Sequence, residues 1–524
     1  MKRYRQANEN IRASEEMKEK AVRPGPKRTY ARWREAVAAV LAVALIGGSV
    51  MWTGFDSSPS PAQPNPLSNL EDGSRIMGRS ASQATALAVA KYPEIHDYPR
   101  QDDFFSGEDV DWEKADAARS KAFKAWREDM DALRTGTDYT GMMDDFISRS
   151  AAQFLAGAGK DNRVYSPVNV YMALSMLAET TGDNTRAQIL DLLEADSIES
   201  LRERANALWR DNYRDDGTVT AILGNSLWLR DDFTYSKKTL NTLAKDYYAS
   251  SFSGEMGSEE YNQALRDWIN QQTNGLLAEQ AEGLEMDART ALALASTIYF
   301  KAAWDDEFSK ENTETDTFHA PGRDVDAEFM HRTMEGSFYW GDNFTAVRLS
   351  FQEGGDMWFI LPDEGYSVDQ LLDSGEAMKF LLSPKYDQCD DGGSVVREGW
   401  PHQKYLQINL SMPKFDVSSD LDLIGGLKQL GVTDVFDPGV SNFDPLEAST
   451  DDPLYVGKAP HAARVKVDEE GCEAAAYTVM MVFCGYDVPP DDEVDFILDR
   501  PFLFAVTGDS GLPLFTGVVN QPNG

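Results

Sequence analysis

Cysteine and histidine are scarce: three cysteines (Cys389, Cys472, Cys484) and five histidines (His96, His319, His331, His402, His461) in 524 residues. Three cysteines are too few for a disulfide scaffold, and none sits in a C-x-x-C pair, which argues against structural zinc. No H-x-x-x-H or H-E-x-x-H spacing occurs, so the sequence implies no metal and no cofactor. Basic residues are also short, 50 Lys and Arg against 87 Asp and Glu, for a formal net charge of −37. The deficit is uneven: residues 1–35 hold eleven Lys/Arg and five Glu, a net of +6, which leaves −43 for the remainder. An acidic body repels phosphates, so no nucleic-acid partner is expected. Internal repeats are absent.

One stretch that does lack charge is Ala36–Phe55 (AVAAVLAVALIGGSVMWTGF), twenty residues long, enough for roughly 30 Å of hydrocarbon at ~1.5 Å per residue. Lys27, Arg28, Arg32 and Arg34 precede it and Asp56 follows. The positive-inside rule therefore gives a basic cytoplasmic tail (1–35), a transmembrane signal anchor (36–55) and an extracellular remainder, with the membrane as a partner. A cleaved signal peptide with secretion is the alternative. This arrangement suggests a bacterial source. Residues 56–138 read as a Pro-rich linker followed by a helical extension. Ala81–Lys91 and Trp112–Leu133 carry helical apolar spacing, and the second is clearly amphipathic.

From 139 to 522 helices gather early and strands late, which predicts an α+β domain. Residues 143–157 read as a helix. The next starts at Ser166, a capping residue, with Pro167 in the first turn, where its missing N–H costs nothing. Strand patterns occur at 291–301, 357–361, 406–412, 464–467, 494–498, 501–506 and 512–519.

The stretch Glu469–Pro490 (EEGCEAAAYTVMMVFCGYDVPP) contains thirteen consecutive uncharged residues, 474–486. That exceeds the usual strand of about five or six, and the run ends in an acidic, Pro-rich segment that must be exposed. As a strand, one face would carry Cys472, Ala474, Ala476 and Thr478, small and uncharged. The other would carry Glu473, Ala475 and Tyr477. A one-residue slip would bury Glu473 and Tyr477, so the register is well defined.

Five segments, 162–188, 298–308, 411–436, 465–478 and 500–506, resemble the motifs of the serpin family, in order. The resemblance implies a serpin fold with three β-sheets, about nine helices and an exposed reactive-centre loop. It implies an inhibitor of extracellular serine proteases, not an enzyme, and a monomer. The target protease cleaves the loop and is trapped as a covalent acyl-enzyme while the loop inserts into the central sheet. The hinge would be Glu470, Gly471, Cys472, Glu473, Ala474, Ala475, Ala476 and Thr478. Cys472 stands where inhibitory serpins usually have Thr or Ser, and Tyr477 replaces the usual Ala. Counting from Gly471 puts the cut between Gly485 and Tyr486, and counting back from Pro489-Pro490 puts it after Tyr486, within a window Cys484, Gly485, Tyr486. Ser166, Asn169 and His461 match a polar cluster under the central sheet, with Ser296 in place of the family's Asn. Trp304 matches the Trp where insertion begins. No Lys or Arg lies between Glu473 and Arg500, so elastase-, chymotrypsin- or subtilisin-like targets fit better than trypsin-like ones. Cys472, Tyr477, Ser296 and the basic tail leave open a non-inhibitory serpin that acts as a membrane-anchored binding or signalling module.

Gly508–Leu514 (GDSGLPL) is similar to the nucleophile motif of chymotrypsin-like proteases. Only fourteen residues follow Ser510, too few to complete such a barrel. A tight hairpin turn is the better reading.

Overall fold

A computed structural model describes residues 84–522, apart from 107–109, 138, 140, 384–386, 390–394, 398–399, 401, 451 and 473–491. The expected tail, anchor and Pro-rich linker thus lie outside the described residues. So do Glu473–Thr478 of the hinge and the window Cys484, Gly485, Tyr486. All described residues belong to one compact unit, 65–524.

Numbered along the chain, the described strands form three sheets. The first has the order β1 (Thr85–Ala88), β5 (Ala249–Gly254), β4 (Val219–Arg230), β6 (Leu292–Ala303), β16 (Gly471–Cys472), β15 (Pro460–Val467) and β14 (Phe415–Asp422), with β3 (Arg214–Asp215) paired to β4. The second has the order β17 (Glu493–Ile497), β13 (Gln403–Pro413), β8 (Arg323–Trp340), β9 (Phe344–Ser350), β10 (Asp356–Pro362), β18 (Phe502–Thr507), β19 (Pro513–Val519) and β2 (Arg163–Tyr165), with β7 (Thr313–Ala320) on β8. The third is the hairpin β11 (Asp387–Cys389) and β12 (Val395–Arg397). The α+β class and the three sheets are as expected. The helices number twelve among the described residues rather than about nine, and two of them, Asp102–Phe105 and Trp112–Leu133, belong to the extension.

Four helices bear on the site: α1 (Trp112–Leu133), α2 (Pro167–Thr180), α3 (Ile198–Asn212) and α4 (Glu259–Gln272). The amphipathic spacing of α1 gave its full span, and Asp111 caps it by accepting from Lys114 N. Its ten charged side chains in 22 residues also show why the longest described helix is no membrane span. Among the described residues no helix is long and apolar enough to cross a membrane.

Ser166 caps α2, its Oγ accepting from Asn169 N, and Pro167 occupies the first turn. All but one of the fourteen residues of α2 are buried, as a helix packed on all sides requires. It runs between the two large sheets. Helix α4 covers the first sheet, with Tyr261, Leu265, Trp268 and Ile269 packed on Trp228 and Phe252.

The helical expectation for Ala81–Lys91 is wrong. Thr85–Ala88 is a strand, antiparallel to β5, with Thr85 opposite Ser253 and Ala88 opposite Ser251. Alanine's helix propensity is a weak preference worth tenths of a kcal/mol, whereas the open edge of β5 offers backbone donors and acceptors that need partners.

Candidate functional site

The site is built around two strands that share no ladder among the described residues. β6 pairs with β4 along its whole length, Ala302 opposite Val219 down to Leu292 opposite Leu229. β15 pairs with β14 along its whole length, Val467 opposite Phe415 to Pro460 opposite Asp422. Among the described residues no ladder joins β6 to β15. What stands between them is β16, antiparallel to both: Gly471 faces Ala303, and Cys472 faces Ala302 on one side and Val467 on the other.

A tight turn delivers β16 to this place. Asp468 N donates to Gly471 O at 3.1 Å, and Glu470 N donates to Asp468 Oδ1 at 3.0 Å. Trp304, just beyond the end of β6, clamps the turn: its backbone N donates to Glu470 O at 3.0 Å and its indole Nε1 to Asp468 O at 2.9 Å. The ring stacks on Phe351 with centroids 4.9 Å apart. Gly471 is required by close approach, since a Cβ there would lie 2.3 Å from Ala302 O and 2.8 Å from Ala303 Cα. Cys472, first of the set expected to face the core, is buried.

Two carboxylates hold the turn from outside. Glu469 accepts from Thr313 Oγ1 at 2.9 Å and pairs with Lys414 Nζ at 3.2 Å. Burial alone would raise the Glu469 pKa, but its own backbone N–H, Thr313 and Lys414 outweigh burial and hold it below the ordinary value. Glu470 pairs with Lys310 Nζ at 2.6 Å. That pair is exposed on the lysine side and contributes little.

Ser296 lies eight residues before Trp304, roughly 26 Å along a strand, so Trp304 does not join the polar cluster. The other four expected residues do meet. Ser166 N donates to His461 Nε2 at 3.1 Å, and Ser166 Oγ donates to Leu514 O at 2.6 Å. Asn169 Nδ2 donates to Ser296 O at 3.0 Å. The substitution at 296 therefore leaves this link intact, because it uses the backbone carbonyl. The Ser296 hydroxyl turns instead to Asn225 Oδ1 at 2.8 Å, and Asn225 Nδ2 donates to Tyr247 O at 3.0 Å. The network thus crosses from β15 through α2 to β6 and β4. His461 is buried against Tyr165, and burial lowers its pKa from 6.5 to about 4.

The sequence reading missed Asn225, Lys414, Thr313 and Lys310. Asn225 had a signal, a lone amide in the apolar run Val219–Arg230. The other three had none, because their roles depend on distant chain segments. Ser510 is no nucleophile: its hydroxyl donates to Asn212 Oδ1 at 2.7 Å and accepts from Leu512 N at 3.2 Å, and neither partner is a base.

The family model described as serpin (serine protease inhibitor) matches residues 143–522. The chain belongs to the serpin family. Similar relatives include Serpin-Z2B of Triticum aestivum, 28% identical over 375 residues, covering 69% of this chain and 90% of that protein. Serpin-ZX of Arabidopsis thaliana is 28% identical over 379 residues, covering 69% and 92%. Among solved structures, the thermophilic serpin tengpin in its native state superposes with a TM-score of 0.64 at 24% identity, covering 74% of this chain and 96% of that one. Arabidopsis AtSerpin1 in a native stressed conformation gives 0.61 at 25% identity, covering 74% and 100%. Serpin-Z2B and Serpin-ZX are plant serpins, and no helix among the described residues is long and apolar enough to cross a membrane. The expected single-pass placement, with the membrane as a partner, is corrected to this: nothing among the described residues supports it, residues 36–55 lie outside them, and the bacterial source finds no support.

Two outcomes are expected. Gly471→Ala forces β16 away from Ala302 and should lower stability by roughly 1–3 kcal/mol, with a shift in Trp304 fluorescence; an unchanged melting curve and spectrum would contradict the close approach. His461 is neutral when folded, so its contribution is complete above pH 6.5 and is lost as pH falls toward about 4. Between pH 7.5 and 5 the wild type should lose about 2 kcal/mol more than His461→Gln in urea unfolding; parallel losses would remove His461 from the account.

Proposed function

We propose that this serpin inhibits extracellular serine proteases of elastase-, chymotrypsin- or subtilisin-like specificity by offering residues 473–491 as bait and then inserting them between β6 and β15. The observation that carries the reading is β16. Two hinge residues, Gly471 and Cys472, already occupy the place of a strand that is antiparallel to both neighbours. Each further residue drawn in would add backbone hydrogen bonds on two sides where, below β16 and among the described residues, β6 and β15 have one ladder each. Insertion is therefore downhill once the loop is cut and its far end is free.

In this reading the hinge Glu470, Gly471, Cys472, Glu473, Ala474, Ala475, Ala476 and Thr478 enters first, with Glu473 and Tyr477 on the outward face. The cut falls within Cys484, Gly485, Tyr486. The target's serine is acylated by the residue before the cut, the new amino terminus leaves, and the ester travels with the inserting strand before water reaches it. Trp304 and the pair Glu469–Lys414 set where the strand starts. The Ser166–His461 and Asn169–Ser296 links hold the lower sheet until then. Residues 139–522 act as the inhibitory domain.

Incubation with elastase or chymotrypsin should give a covalent complex that survives SDS and contains the loop's new C-terminus, while trypsin should give none. Loop cleavage by every serine protease tried, with no covalent complex, would overturn the inhibitory reading in favour of a non-inhibitory binding module.

A further inference from the structure

Residues 84–139 precede the span matched by the family, 143–522, yet they are built into the side of the insertion sheet. At one end, β1 adds a strand to the open edge of β5, and Ala90 N donates to Ser250 Oγ at 3.2 Å. At the other, Tyr98 N donates to Asp216 O at 2.8 Å and Trp126 Nε1 to Asp216 Oδ2 at 2.9 Å. Asp216 is fully buried and paired with Arg214 at 2.7 Å.

Between these attachments Tyr92 enters an aromatic nest. Its ring centroid lies 5.1 Å from Trp209, 5.7 Å from Tyr213 and 6.3 Å from Tyr248. Its hydroxyl faces the backbone of Asn225. Trp209 belongs to α3 and donates through Nε1 to Leu223 O of β4 at 2.7 Å. Tyr248 leads into β5. The Tyr92 ring therefore sits where α3, β4 and β5 meet, directly behind the residue that ties β4 to Ser296.

For a strand to continue below Cys472, β6 and β15 must stand a full strand apart along their whole length, and β4 and β5 are bonded to β6 in series. Moving them shifts β4 and β5 against α3 and opens the nest around Tyr92. A ring that fills the nest in the resting state and not in the inserted one raises the cost of that movement.

We propose that Tyr92 is a positioning residue of the sheet-opening network, a peg carried on the extension that holds β4 and β5 against α3 and so slows loop insertion. This rests on the strand-insertion reading given above. It assigns the extension a role in timing the inhibitor.

The test uses the full chain with Tyr92→Ala and, should that variant fail to fold, Tyr92→Phe, which keeps the ring and removes the hydroxyl. Melting midpoints are measured for intact protein and for protein cut in the 473–491 loop, with the half-life of the intact form just below its midpoint. The expected result is a lower midpoint and an about tenfold shorter half-life for the intact variant, with the midpoint of the cut form little changed. The effect of Tyr92→Phe should be smaller and in the same direction. Equal losses in the intact and cut forms would show ordinary packing and overturn the proposal. A wild-type midpoint that does not rise on cutting would instead overturn the insertion reading on which it rests.

Discussion

A sheet that places two parallel strands on either side of a single antiparallel one depends on that middle strand. β6 and β15 run in the same direction, each is fully paired on its outer side, and each presents an inner row of N–H and C=O groups. Such a row is the least settled part of a sheet. In this chain the only described residues that answer both rows are Gly471 and Cys472. The chemistry of the hinge follows from that geometry. Gly471 is there because a Cβ would strike the backbone of β6. Cys472 fits because a thiol is small and tolerates burial. In the sequence Ala474 and Ala476 after it are small, as the proposed insertion requires.

The charged groups around this place act as locators rather than as sources of stability. Glu469 is buried enough for its partners to matter, and Lys414 lies on the short link between β13 and β14, so this pair ties the turn to the junction of the two large sheets. Removing one partner of a buried pair costs more than the pair contributes. The lower network works differently. It is mostly neutral, running through a helix cap, a buried imidazole, an amide and a hydroxyl, so it can break and reform without stranding a charge. His461 is the exception under acid, where the proton it would take up in solvent is refused by its surroundings.

Much of this was legible in the sequence, and where it was not the cause is specific. Helix α1 showed itself through amphipathic spacing, and α2 through Ser166-Pro167, because both signals are local. The uncharged run 474–486 marked a candidate hinge and loop, but those residues lie outside the described ones, and of the expected hinge Glu470, Gly471 and Cys472 are described. Thr85–Ala88 misled because an alanine-rich run satisfies helical spacing, and only the distant edge of β5 decides otherwise. Asn225 and Lys414 stayed hidden because a strand amide and a surface-type lysine look ordinary until their partners, far off in the chain, are brought up. The exchange of Asn for Ser296 looked like a defect in the network. It is neutral for Asn169, which reads the backbone at that position.

The central claim is that β6 and β15 await a strand supplied by the loop. Amide hydrogen exchange of Leu292–Ala303 and Pro460–Val467, compared before and after a single cut in 473–491, tests it most directly. Protection is expected to rise along the full length of both strands after the cut, as each inner row gains a partner. Exchange that stays the same in both strands, with the loop demonstrably cut, would contradict it.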